Sequence, residues 1–139
     1  MPLGSTFAND LLQLSLCAKA IANVADNAAS SPNTVTWAAL HTADPSSGTQ
    51  GTSEVALTAY TRISVARSTT GFTVTQGSSY AGASPVAAIN FPQLTSTSTG
   101  TATHLSQGLS SASTGGKILA SGVITPNINL GQNVTPQLT

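Results

Sequence analysis

The spacing of apolar residues changes once along the chain, near residue 33. Before that point they recur at steps of three and four. On a 100° wheel Phe7, Leu11, Leu14, Ala18, Ile21 and Ala25 share one stripe, while Leu12, Leu16 and Ala20 fall near the opposite side. Ser5 or Thr6 can cap this segment, and "NAASSPN" breaks it beyond Val24 or Asp26. A helix apolar on both sides must be covered on both sides. A domain of this size cannot wrap it, so the Phe7 stripe is expected on the protein's own sheet. Leu12, Leu16 and Ala20 are then the face offered to a partner.

From Pro32 onward the helical period is absent and short β-type segments alternate with turn residues. "TVTWAALH" (34–41) is the first and "VALTAYTRISVAR" (55–67) the longest. "GFTVTQ", "VAAINF", "TATHLS", "KILASGVI" and "NVTPQL" follow. Between them lie "TTG", "QGSSYAGASP", "PQLTSTSTG", "SSASTGG" and "TPNINLGQ", each short enough to be a loop and not a linker. The pattern predicts a mainly β fold: an antiparallel β-sandwich of about seven strands preceded by one N-terminal α-helix. Residues 1–33 would form the helix and linker and residues 34–139 the sandwich, packed together as a single domain.

Composition sharpens the picture. Of 139 residues 40% are hydrophobic, enough for one core, yet only 6% are charged and the formal net charge is zero, against about 25% charged in ordinary domains. About forty Ser and Thr residues supply the polar surface instead. Such a chain lacks the repulsion that keeps free monomers apart and suits a molecule held in contact with others. Lys19, Arg62, Arg67 and Lys117 are scattered, which excludes a nucleic-acid patch and an electrostatic grip on a membrane. Cys17 is the single cysteine and reads as a small buried hydrophobe. No positively charged start precedes the first apolar stretch, and no run approaches a membrane span, so a soluble, non-secreted product of a cytoplasm is expected.

Few residues could carry chemistry. His41 and Asp44 stand at the mouth of a Ser/Gly-rich loop. Three positions apart in a strand, they would face opposite ways, and Asp-Pro followed by Ser-Ser-Gly is turn chemistry. His41 is expected to be satisfied by a loop carbonyl. His41, His104, Asp10, Asp26, Asp44, Glu54 and Cys17 show no metal-ligand spacing, and no G-x-S-x-G occurs. Asp44 and Glu54 flank one loop, read as a turn cap and a surface ion pair with Arg62. Gly115-Gly116 reads as a hairpin turn and not a phosphate loop. Tyr80 is the only aromatic in a loop. No enzyme, metal or cofactor is expected.

The succession "WAALHTADP … EV … AYTRISV … AAINFP … GTATHL … TGGKILASGVI" resembles a group of small virion proteins of tailed bacteriophages, known as tail-fibre, minor structural or capsid decoration proteins. The matching positions are Leu40–Pro45, Glu54–Val55, Tyr60 with Arg62, Phe91–Pro92, Thr103–His104 and Gly115–Gly122, within residues 35 to 125. After "THL" this chain departs with "SQGLSSAST". The resemblance implies a β-rich structural module of a phage particle and carries over no catalytic residue. The first expectation is a capsid decoration (cement) protein on the virion surface. It would bind the major capsid protein lattice through Leu12, Leu16 and Ala20, next to other copies of itself, as in a trimer. The alternative is a tail-fibre or minor tail protein acting as a binding module.

Overall fold

The computed structural model describes residues 5–21, 32–77 and 81–139. The expected helix end at Val24 or Asp26, together with Ala25 and the loop aromatic Tyr80, lies outside them. Helix α1 (Ser5–Cys17) is followed by β1 (Val35–His41), β2 (Ile63–Ala66), β3 (Phe72–Gln76), β4 (Ala81–Pro85), β5 (Ile89–Asn90), β6 (Gly100–Gly108), β7 (Ile118–Leu130) and β8 (Gln137–Leu138). The fold is mainly β with antiparallel sheets behind one N-terminal helix, with eight strands among the described residues where about seven were expected.

The chain forms two compact units. One comprises Met1–Val35 with Ala66–Ala87, the other Thr36–Val65 with Ala88–Thr139. In the first unit α1 packs on the β3–β4 hairpin.

In the first unit α1 ends earlier than its apolar period suggests. Ala18 takes a left-handed φ of 56°. Arg67 donates from Nε to Ser15 O at 2.7 Å and from Nη2 to Leu14 O at 2.6 Å. A guanidinium on the orphan carbonyls of a last turn caps the helix and opposes its dipole. Burial along α1 does not follow the two stripes of the wheel. Leu16 is 2% exposed and Leu12 half-buried, whereas Phe7 and Leu11 are 39% and 42% exposed. The buried Cys17 thiol lies 3.6 Å from Phe72 O, and burial pushes its pKa up. It fills the place of a small apolar residue.

The second unit is built on a four-stranded sheet, order β2-β1-β6-β7. β1 and β6 pair from Trp37↔Gly108 to His41↔His104. Ala38, Leu40, Ala102, Ile124 and Leu130 from the sheet join Val55, Ile89, Phe91 and Leu94 in one core. The covering layer is the β5–β8 ribbon with the Phe91–Leu94 segment, in place of a second full sheet.

Two strands differ from expectation. Of residues 55–67 only Ile63–Ala66 is strand, since Ala59 at φ 70° turns the chain and places Tyr60 flat against Phe91, with ring centroids 5.9 Å apart. "TPNINL", expected as loop, continues β7. The register jumps from His104↔Val123 to Ala102↔Ile128, so Pro126 sits in the irregularity, where the ladder asks no N–H of it.

Candidate functional site

The loops over the β1–β6 end of the sheet hold most of the chain's chemistry-bearing residues. His41 closes β1 and is fully buried. Its Nδ1 lies 2.9 Å from Thr52 O and its Nε2 2.8 Å from Ser106 Oγ. A carbonyl only accepts, so Nδ1 carries the proton and Nε2 accepts from the serine hydroxyl. Burial, the largest influence, pushes the imidazole pKa down and keeps it neutral. The expectation of a loop carbonyl partner is met by Thr52.

Asp44 stays in water and accepts from Ser46 N at 2.9 Å, a bond that lowers its pKa. It is the turn cap that its Pro-Ser-Ser-Gly context predicts. His104 stands opposite His41 in the ladder, its Nδ1 2.9 Å from Thr103 Oγ1. The fold thus brings the two histidines side by side, but leaves His41 with no nitrogen to give. No group of three or more His, Cys, Asp or Glu able to hold a metal occurs among the described residues.

Glu54 and Arg62 form an ion pair, as their flanking positions suggest, but it is not at the surface. Their side chains are 6% and 1% exposed. Arg62 Nε donates to Glu54 Oε1 at 2.8 Å and Nη2 to Oε2 at 2.7 Å. Nη1 reaches Ser110 O at 2.9 Å and Nη2 reaches Gly115 O at 3.3 Å. Tyr60 Oη accepts from Leu40 N at 2.8 Å and donates to Glu54 Oε1 at 3.3 Å. Its burial drives the phenol pKa well above the usual tyrosine range. A buried ion pair is tolerable only when its remaining hydrogen-bonding capacity is met, and here it is met by the β1–β2 and β6–β7 connections.

Gln50, fully buried, ties the same loops. Its Nε2 donates to Trp37 O at 2.8 Å and its backbone N to Gly116 O at 2.9 Å, while Ser110 N donates to its Oε1 at 3.3 Å. A Cβ on Gly108 would lie 2.1 Å from the Gln50 side chain, so the strand must be bare there. Gly115 and Gly116, at φ 67° and 95°, turn the β6–β7 connection as expected of a hairpin. Nothing in "SSGTQGTSEV" marks Gln50 as structural. Its role follows from Gly108 and Gly116, more than fifty residues away.

Glu54, Arg62, Tyr60 and His41 are thus engaged in holding the loops together. Beside this cluster, a cleft of about 640 Å³ opens between the turn carrying Ser46, Gly48 and Thr49 and the stretch from Gly116 to Ser121. Of the residues expected at a partner interface, Leu16 is buried in its own unit, Leu12 is half-buried and Ala20 is exposed. No described helix is long and apolar enough to cross a membrane.

The sequence places this braced β framework among the structural proteins of tailed-phage virions. The chain belongs to the family described as podophage GP4 fiber I protein gp80, whose model matches residues 14–137. Neither the curated proteins nor the solved structures contain a match.

Proposed function

We propose that the protein is a non-enzymatic subunit of a fibre on a tailed-phage particle, a binding and building module of the tail. The observation that carries this is the family match over residues 14–137, whose description names a fibre. It favours the tail-fibre reading over capsid decoration of the major capsid protein lattice. The braced cluster supports a structural role: Glu54, Arg62, Tyr60 and His41 are spent on one another and on loop backbone, in a region that water does not reach. The hydroxyl-rich, nearly neutral surface suits contacts made by apolar burial and main-chain hydrogen bonds, which salt screens little.

The test is the position and copy number of the protein on purified particles, by electron microscopy of antibody-labelled virions and by quantitative mass spectrometry against the major capsid protein. A fibre subunit gives label at the tail and on the order of tens of copies, as tail symmetry allows. Hundreds of copies with label over the whole capsid would return the protein to the decoration class.

A further inference from the structure

β1 and β6 lie opposite one another from Trp37↔Gly108 to His41↔His104, and residues directly opposite share a face of the sheet. Ala38 and Leu40 look into the apolar core, on the side of Leu105. Trp37, Ala39 and His41 look the other way, beside Gly108, Ser106 and His104. A Cβ on Gly108 would strike the Gln50 side chain, so Gln50 lies on this second face.

Residues 42–53 leave the end of β1, fold back over the second face and return to the strand they left. Thr42 N donates to Ser53 O at 2.8 Å and Val55 N to Leu40 O at 2.9 Å where the segment closes. Beneath it Ala39, His41 and Ser106 are fully buried, while most of its own residues stand in water. It is a strap across the sheet, fastened at two points. Gln50 fastens one, through Nε2 on Trp37 O and N on Gly116 O. Thr52 fastens the other, its O accepting from His41 Nδ1 at 2.9 Å.

Of these fastenings only His41 titrates. Its Nε2 accepts from Ser106, and no carboxylate reaches the ring. Glu54 favours a proton there, but it is tied to Arg62, whose charge opposes one. A charge on His104, opposite on β6, opposes it too, and β7 adds only Val123 beside His104. Asp44, on the strap itself, points into water and holds Ser46 N. Burial outweighs all of these and keeps the ring neutral. That burial is supplied by the strap, so lifting the strap gives the ring back to water. Proton uptake and lifting therefore favour one another. The apolar core lies on the other face of β1 and has no part in the exchange.

We propose that residues 42–53 form an acid-released strap: a proton on His41 lifts them from the sheet while the core on the opposite face stays folded. Lifting bares Ala39 and Ser106 and withdraws Ser46, Gly48 and Thr49, which line one wall of the cleft. The proposal holds wherever on the particle the chain sits.

The test is amide hydrogen exchange of the full chain, resolved to single residues by NMR, from pH 7.5 to 5 and in low urea. Each rate is set against that of an unprotected amide at the same pH. The Gln50 and Ser110 amides report the strap, because one bonds Gly116 O and the other Gln50 Oε1. Their protection should fall about tenfold by pH 5 and respond little to urea. One proton with an unburied pKa of about 6.5 permits a fall of no more than about thirtyfold at pH 5. Phe91 and Leu94, bonded to Pro136 and Val134, should stay about tenfold or more better protected, with the urea slope of whole-chain unfolding.

Equal protection and equal urea slopes at all four amides would mean that the chain opens as a whole, and would overturn the proposal. So would protection at Gln50 and Ser110 that ignores pH, or a fall beyond thirtyfold, which requires a second proton. His41→Gln keeps a donor for Thr52 O and an acceptor for Ser106 but does not titrate, and it should abolish the fall. His104→Gln should retain it. A fall that survives in His41→Gln, or one lost in His104→Gln, would place the proton elsewhere and overturn the assignment.

Discussion

Glu54 and Arg62 meet fork to fork, at 2.8 and 2.7 Å, with both side chains almost wholly out of water. Removing one partner strands the other. Arg62→Met or Glu54→Gln should each cost about 3–5 kcal/mol in denaturant unfolding. Replacing both by apolar residues of similar volume should cost less than the two single changes together, because no buried charge is left alone. Equal and additive losses would mean that the pair is solvated.

The Gln50 side chain leaves no room for a Cβ on Gly108. Gly108→Ala should destabilise by about 1–3 kcal/mol through overpacking. The same change made in a Gln50→Ala background should cost measurably less. A double-mutant cycle by urea titration reads this coupling.

Tyr60→Phe keeps the ring against Phe91 but removes the acceptor for Leu40 N. An unsatisfied buried N–H costs about 1–3 kcal/mol. The variant should therefore lose stability and gain faster amide exchange at Leu40.

His41 is neutral in the folded protein, with its pKa held below the unfolded value by burial. The unfolded chain therefore binds the extra proton first. The His41 contribution is fully present above the unfolded pKa of about 6.5 and falls away as pH drops below it. Thermal melts from pH 7.5 to 5 should show this loss, and His41→Gln should flatten it.

Leu16→Ala should cost about 2–5 kcal/mol by opening a cavity under α1, whereas Leu11→Ser, at an exposed position, should change stability by no more than about 0.5 kcal/mol. Asn9 is 7% exposed and its Oδ1 has no hydrogen-bond partner. Asn9→Leu should raise the melting temperature of its unit.

The local chemistry in these loops was legible in the sequence because it is short-ranged. Asp44 caps its own turn, Gly115-Gly116 turns its own hairpin, and His41 meets the loop that follows it. The β class was legible from alternation. What the pattern could not show is set across distance. Arg67 fixes the end of α1 from 52 residues away, and Arg62 is buried because Ser110 and Gly115 close over it. A wheel shows that a helix has two apolar faces but not how its hairpin will cover them, so Leu16 is buried and Phe7 exposed. The edge of β7 was invisible for the same reason: a strand becomes an edge only through the order of its sheet.

The pairing of β1 with β6 also bears on how the protein is made. The partners of Trp37 to His41 follow them by roughly sixty to seventy residues. At a synthesis rate of about 5–20 residues per second, the segment "VTWAALH" leaves the ribosome several seconds before the strand that will shelter it. In a chain with so little charge, that interval is when the nascent protein is most open to sticking to its neighbours, and when slower translation would do it the most harm.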